Sequence, residues 1–384
     1  MFESFSHLTL QQYWWIIISS LGSILVFLLF VQGGQTLIYT LGKNENERTI
    51  IVNVLGRKWE FTFTTLVTFG GSLFASFPLF YATSFGGAYW LWISILFCFV
   101  IQAIAYEFRS KPNNLFGHKT YETFLFINGV LGTVLIGTTL GTFFNGAKFS
   151  VDFSNITNPD NPVISQWESP FHGMEAILNF HNLSLGIAVF FLARTMALLY
   201  FINNIDDNNI IKRVRVQLII NSLPFICFFM IFITRLFLIK GFSYNTETYT
   251  ISMEKFKYFH NLTEMPVTGF LFTTGTVLVL FGIIKSIISK YSKGIWFTGT
   301  GTFLVVFSLF IIAGFNNTAY YPSTFDLQSS LTIQNSSSSK YTLTVMSYVS
   351  LLVPFVFAYI YYAWKAINRK KINVDEIKEE SHIY

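Results

Sequence analysis

Charge is the scarcest commodity in this 384-residue chain: Asp, Glu, Lys and Arg make up 12% of it. A soluble domain usually carries about twice that fraction, so a water-soluble globular fold is excluded. Cysteine occurs only at Cys98 and Cys227, with no C-x-x-C pair and no Cys/His ligand spacing. That excludes a disulfide framework, a zinc site and c-type haem attachment, and leaves both as small apolar residues of a helix bundle. Histidine is sparse as well, with six in all. There is no Walker A loop, no G-x-G-x-x-G after a strand and no nucleophile elbow. The chain does not carry a self-contained enzyme motif.

What it has in abundance is apolar surface, with 52% hydrophobic residues and 45 phenylalanines. A bilayer core of about 30 Å needs about 20 apolar residues per helix, and such runs recur along the chain. They predict nine transmembrane helices, at 13–31, 59–82, 87–106, 123–144, 177–202, 218–239, 267–284, 295–315 and 341–364. The fold class is therefore an all-α polytopic membrane protein. Four comparable spans on each side of the loop at 145–176 suggest two four-helix bundles, 13–144 and 177–315. A peripheral ninth helix (341–364) and a tail (365–384) complete a single transmembrane domain. Trp14, Trp15, Trp59, Trp296 and Trp364 fall at expected span ends, where indole favours the headgroup level.

Basic residues set the orientation. The segments 32–58, 107–122, 203–217, 285–294 and 365–384 hold 18 of the 25 Lys and Arg, whereas the opposite loops hold five. This positive-inside bias puts the C-terminus in the cytoplasm and the N-terminus outside. The first helix reads as an uncleaved anchor, without a basic leader region or an A-x-A site. The net charge of +5 then reflects orientation, and no nucleic-acid partner is expected. Arg194 and Arg235 lie inside spans. Arg235 is close enough to an end to snorkel; Arg194 calls for a buried carbonyl, an acid or a lipid headgroup.

Of the histidines only His181 falls within a span. It reads either as a ligand or relay, or as an interfacial ring bonded to a carbonyl or water. A bis-ligated haem draws its ligands from facing helices, so one histidine cannot supply several haems. Glu60, in "RKWEFTFTTLVTFGGSLF" (57–74), stands at the mouth of an apolar run. It reads as a proton-exchanging carboxylate or as a headgroup-level acid paired with Arg57 or Lys58. Glu107, in "YEFRSK", has the same two readings, its candidate partners being Arg109 and Lys111.

Several segments resemble subunit II of cytochrome bd-type quinol oxidases. They are "LGKNENERTIIVNVLGRKWE" (41–60), "TFGGSLFASFPLFYATSF" (68–85), "AYEFRSK" (105–111) and "PSTFDLQSSLTIQNSSSSKYTLTVMSYVSLLVPFVFAYIYYAWK" (322–365). Their order and spacing agree with the family; residues 145–265 agree mainly in hydropathy. The resemblance implies a multi-pass subunit of the bacterial cytoplasmic membrane, paired with a larger subunit I in a heterodimer. Subunit I would carry two b-type haems and one d- or b-type haem, oxidise quinol from the membrane quinone pool, and reduce dioxygen to water. Lipid and small accessory membrane subunits are further partners the family admits.

The resemblance also gives the acids a role. The family's Trp-acid pair matches Trp59-Glu60, and Glu107 matches its other inner-side acid, both on a proton pathway from the cytoplasm. Where relatives carry an acidic D-G-x-D pair, this chain has "QGGQ", so Gln32 and Gln35 cannot ionise and are expected only as hydrogen-bonding neighbours. Dioxygen delivery from the membrane is another role proposed for such subunits. Two other classes remain open on the residues alone. One is a secondary transporter with a midplane site at helices broken by Gly70–Gly71, Pro78, Pro224 or Pro354. The other is a purely scaffolding subunit.

Overall fold

The computed structural model describes residues 2–158, 163–368 and 372, without the side chains of Ile156 and Phe357. Most of the expected tail, from Arg369 onward, lies outside the described residues. The described residues form seventeen α-helices: α1 (His7–Leu28), α2 (Phe30–Gln35), α3 (Ile38–Leu41), α4 (Glu45–Gly56), α5 (Trp59–Ser76), α6 (Pro78–Tyr81), α7 (Tyr89–Phe108), α8 (His118–Ile127), α9 (Thr133–Asn145), α10 (Glu175–Leu178), α11 (Phe180–Asn204), α12 (Asn208–Leu238), α13 (Lys257–Glu264), α14 (Pro266–Ile288), α15 (Gly294–Gly314), α16 (Lys340–Ser350) and α17 (Val353–Ile367). Two antiparallel hairpins, β1 (Phe149–Val151) with β2 (Ser165–Trp167) and β3 (Lys240–Tyr244) with β4 (Ile251–Lys255), lie in the loops.

Eight helical stretches among the described residues are long and apolar enough to cross a membrane. They match the expected spans except the second. Residues 59–82 do not form one rod. Phe77 leaves the helix where Pro78 removes a backbone donor, and a π-helical segment, Ala82–Gly87, follows α6. With four threonines and Glu60, α5 is also less apolar than the other expected spans.

Trp14 and Trp15 are buried within the protein, in a first span that begins at His7, six residues earlier than expected. The Trp15 indole N–H donates to the Phe310 carbonyl at 3.0 Å, and that of Trp14 to the Ser347 hydroxyl at 3.1 Å. Trp296 remains half-exposed at the start of α15.

Helix pairs carry the packing: α1 against α5 and α15, α9 against α11, α11 against α12, and α14 against α15. Small residues permit the close approaches. A Cβ on Gly137 would lie 2.8 Å from the Gly186 backbone, and one on Gly301 2.7 Å from the Val279 amide. Such small-residue seams suit association in lipid, where burial of apolar side chains gives helices no preference for one another.

The serine run is structured. Ser337 accepts from Gln11 at 2.7 Å, Ser338 bonds the Ser76 and Ala75 carbonyls, and Ser339 caps α16. It ties α16 to α1 and α5.

Candidate functional site

Glu60 lies in the first turn of α5 and is exposed; among the described residues it makes no ion pair. Pairing with Lys58 does not occur, for a geometric reason. Positions two apart on a helix face different ways, and Lys58 turns inward. Its side chain is wholly buried. Its Nζ stands 4.3 Å from the Trp364 ring centroid and 5.7 Å from that of Phe61, with no hydrogen-bond acceptor. Burial, with Arg57 adding repulsion, pushes the Lys58 amine down to about 7.

That displacement has a thermodynamic consequence. The unfolded chain keeps the Lys58 proton to about pH 10.5, whereas the folded chain releases it near 7. Between those values the unfolded state binds more protons, so stability rises with pH across that window. Lys58→Met is expected to assemble normally and to flatten this rise between pH 7 and 10, measured as thermal inactivation of the purified complex. An unchanged pH slope contradicts the burial of an unpaired amine.

Trp59 faces the opposite way and stacks on Tyr106, with centroids 5.7 Å apart and planes at 14°. Tyr106 opens a buried polar vein. Its hydroxyl accepts from Gln35 Nε2 at 3.1 Å. Gln35 and Gln32 both donate to Gln102 Oε1, at 2.8 and 2.6 Å. Gln32, Gln35, Gln102 and Asn128 are fully buried. Gln32 Oε1, Gln35 Oε1, Gln102 Nε2 and both side-chain polar atoms of Asn128 have no partner. Buried polar atoms left this way call for water. The spacing of Gln102, Tyr106 and Arg109 puts all three on one side of α7 and its C-cap, so Arg109 stands one turn beyond Tyr106.

There the acid that matters is Glu122, which sequence reasoning missed. It is fully buried in α8, and Arg109 donates to its Oε1 at 2.8 Å. Arg48 approaches its other oxygen at 3.1 Å, and Arg109 also reaches Thr49 at 3.2 Å. The expected span boundary at 123 left Glu122 in a loop. The signal lay in Tyr121, Glu122 and Leu125, which share the buried face of α8. Glu107, by contrast, points outward and pairs with Lys111 at 3.1 Å. Of its two candidate partners Lys111 takes it, and it does not join the vein.

His181 stands apart, near the other end of the molecule. Its ring is buried and stacked on Phe232, 4.7 Å between centroids, and neither nitrogen has a hydrogen-bond partner. The expected carbonyl contact is therefore absent among the described residues. Arg194 does find its carbonyl: it donates to Asn221 Oδ1 at 2.6 Å and to Thr36 at 3.1 Å. Arg235, exposed, lies over the Phe180 ring.

The donor set does not fit a haem. His181, the buried histidine among the described residues, faces Phe232, and no three His, Cys, Asp or Glu gather as a metal-binding group among those residues. Fold and site together define a polytopic helical membrane protein with a buried polar vein. Residues 10–367 match the family of cytochrome bd terminal oxidase subunit II, and the chain belongs to it. It is 24% identical to cytochrome bd-I ubiquinol oxidase subunit 2 of Escherichia coli strain K12, over 96% of this chain and 97% of that protein. It is 25% identical to cytochrome bd ubiquinol oxidase subunit 2 of Bacillus subtilis strain 168, over 82% and 83% of the two chains. The bd oxidase structure from Geobacillus thermodenitrificans aligns with a TM-score of 0.60 at 13% identity, covering 94% of this chain and 98% of that one.

Proposed function

We propose that the chain, as a subunit of a quinol:oxygen oxidoreductase of the respiratory chain, supports the haem-bearing subunit I and leads protons inward from the cytoplasmic side. Quinol is the substrate of the complex, and the haems belong to it. In this reading subunit I holds two b-type haems and one d- or b-type haem. The complex lies in the bacterial cytoplasmic membrane. This chain crosses nine times with its N-terminus outside, α5 to Gly87 serving as the second crossing.

The observation that carries the reading is the hydrogen-bonded vein Tyr106–Gln35–Gln102–Gln32, with Arg109 one turn beyond Tyr106. Its unpartnered amide atoms could hold waters, and water held by amides passes protons without any amide ionising. Trp59 links this vein to Glu60, which gathers protons at the surface. Glu107 acts there only as a surface acid, and His181 has no part in the route. Dioxygen delivery keeps one supporting feature, an apolar cavity of about 140 Å³ lined by Leu140, Phe143, Leu192, Phe225 and Val305 among others. The transporter reading yields to the family membership.

Glu60→Gln is expected to slow oxygen reduction severalfold with haem content unchanged, and the defect should deepen at high pH, where protons are scarce. Glu60→Asp, which keeps the ionisable group, should be milder. Rates equal to the parent across the working pH range would remove Glu60 from the pathway and favour a scaffold.

A further inference from the structure

A cavity of about 420 Å³ with a mixed polar and apolar wall opens where α7 and α11 begin and α9 ends, roofed by residues 145–148, Trp167, residues 173–179, Tyr321 and Thr324. Its wall carries one acid and one base. The Glu175 carboxylate is fixed by two donors: Trp167 Nε1 to Oε1 and the Gly173 amide to Oε2, both at 2.9 Å. Each oxygen keeps a lone pair for a ligand. Lys148, exposed, lines the same cavity. Deeper in, Asn182 is 2% exposed and its Oδ1 has no partner, an acceptor awaiting a donor.

The mouth is apolar. Leu178 lines the cavity and is 81% exposed, with Phe171 and Phe180 exposed beside it. Ala88 and Leu91 of α7 line the cavity, and Trp90, Ile93 and Phe97 run from there as an exposed apolar strip along that helix. A ligand suited to this site has a donor-rich cationic group, an anionic group and long apolar chains. We propose that the cavity binds the headgroup of a zwitterionic aminophospholipid. The ammonium meets Glu175 and Asn182, the phosphate meets Lys148, and the acyl chains lie on the α7 strip. An anionic lipid can also set its phosphate on Lys148, but it supplies no ammonium to offset the Glu175 carboxylate.

The test is native mass spectrometry of the purified heterodimer, delipidated and titrated with phosphatidylethanolamine or phosphatidylglycerol. Phosphatidylethanolamine should occupy one site at least about fivefold more tightly, equivalent to about 1 kcal/mol. Glu175→Gln should erase most of that preference, and Lys148→Gln should weaken the binding of both lipids, each with oxygen reduction unchanged. Lys148 is a surface side chain, so its variant keeps the test open should Glu175→Gln disturb the loop. Equal binding of the two lipids, variants that bind as the parent does, or a co-purified quinone or subunit I segment filling the cavity would overturn the assignment.

Discussion

Glu122→Gln is expected to leave little assembled oxidase in the membrane. The carboxylate is fully buried between Arg109, itself 1% exposed, and Arg48. Its neutral replacement leaves two guanidinium groups facing each other without a counter-charge. Removing one partner of a buried pair costs about 3–5 kcal/mol, comparable with the whole stability of many domains. The three residues come from α4, the C-cap of α7 and α8, so the loss is felt where these elements meet. Membrane haem content and co-purification of subunit I report the outcome. Glu107→Gln is the matched control: its pair with Lys111 is exposed on both sides, and such pairs contribute about 0–1 kcal/mol. Normal assembly of Glu122→Gln would show that water or another group neutralises the arginines.

Gly33→Ala should be the second severe change, because it touches both stability and the vein. A Cβ at Gly33 would collide with the Ala193 carbonyl group and the Arg194 amide of α11. These are backbone atoms and cannot swing aside, so α2 must move; overpacking of this kind costs about 1–3 kcal/mol. Gln32 and Gln35 flank this glycine and would shift from Gln102, breaking the hydrogen bonds at 2.6 and 2.8 Å. The expected result is reduced assembly together with a lower turnover per assembled haem. Full turnover per haem in the surviving complex would separate the vein from proton delivery.

Eight of the expected spans were legible because apolar length is a local property of a chain in lipid. Facing was harder to read. Trp59 and Glu60 stood out as a motif, yet the residue that turns inward beside them is Lys58, whose cation is accommodated by the Trp364 ring from the far end of the sequence. No local pattern announces such a contact. Glu122 was hidden for a related reason. Its charge suggested a loop, while its partners Arg48 and Arg109 lie 74 and 13 positions away. The N-terminal part of α12, with its "KRVR" run, was read as a loop. Arg213 in fact pairs with Glu47 at 2.7 Å, and Arg215 reaches the Ser286 carbonyl at 2.9 Å. The interruption at Phe77–Pro78 could have been anticipated from proline; the π-helical turn after it could not.

The most direct measurement is haem content by reduced-minus-oxidised spectra, on this chain purified alone and again after co-expression with its subunit I. The account predicts no stoichiometric haem in the folded chain alone and a full haem complement in the heterodimer. A stoichiometric low-spin haem signal from the isolated, folded chain would contradict it.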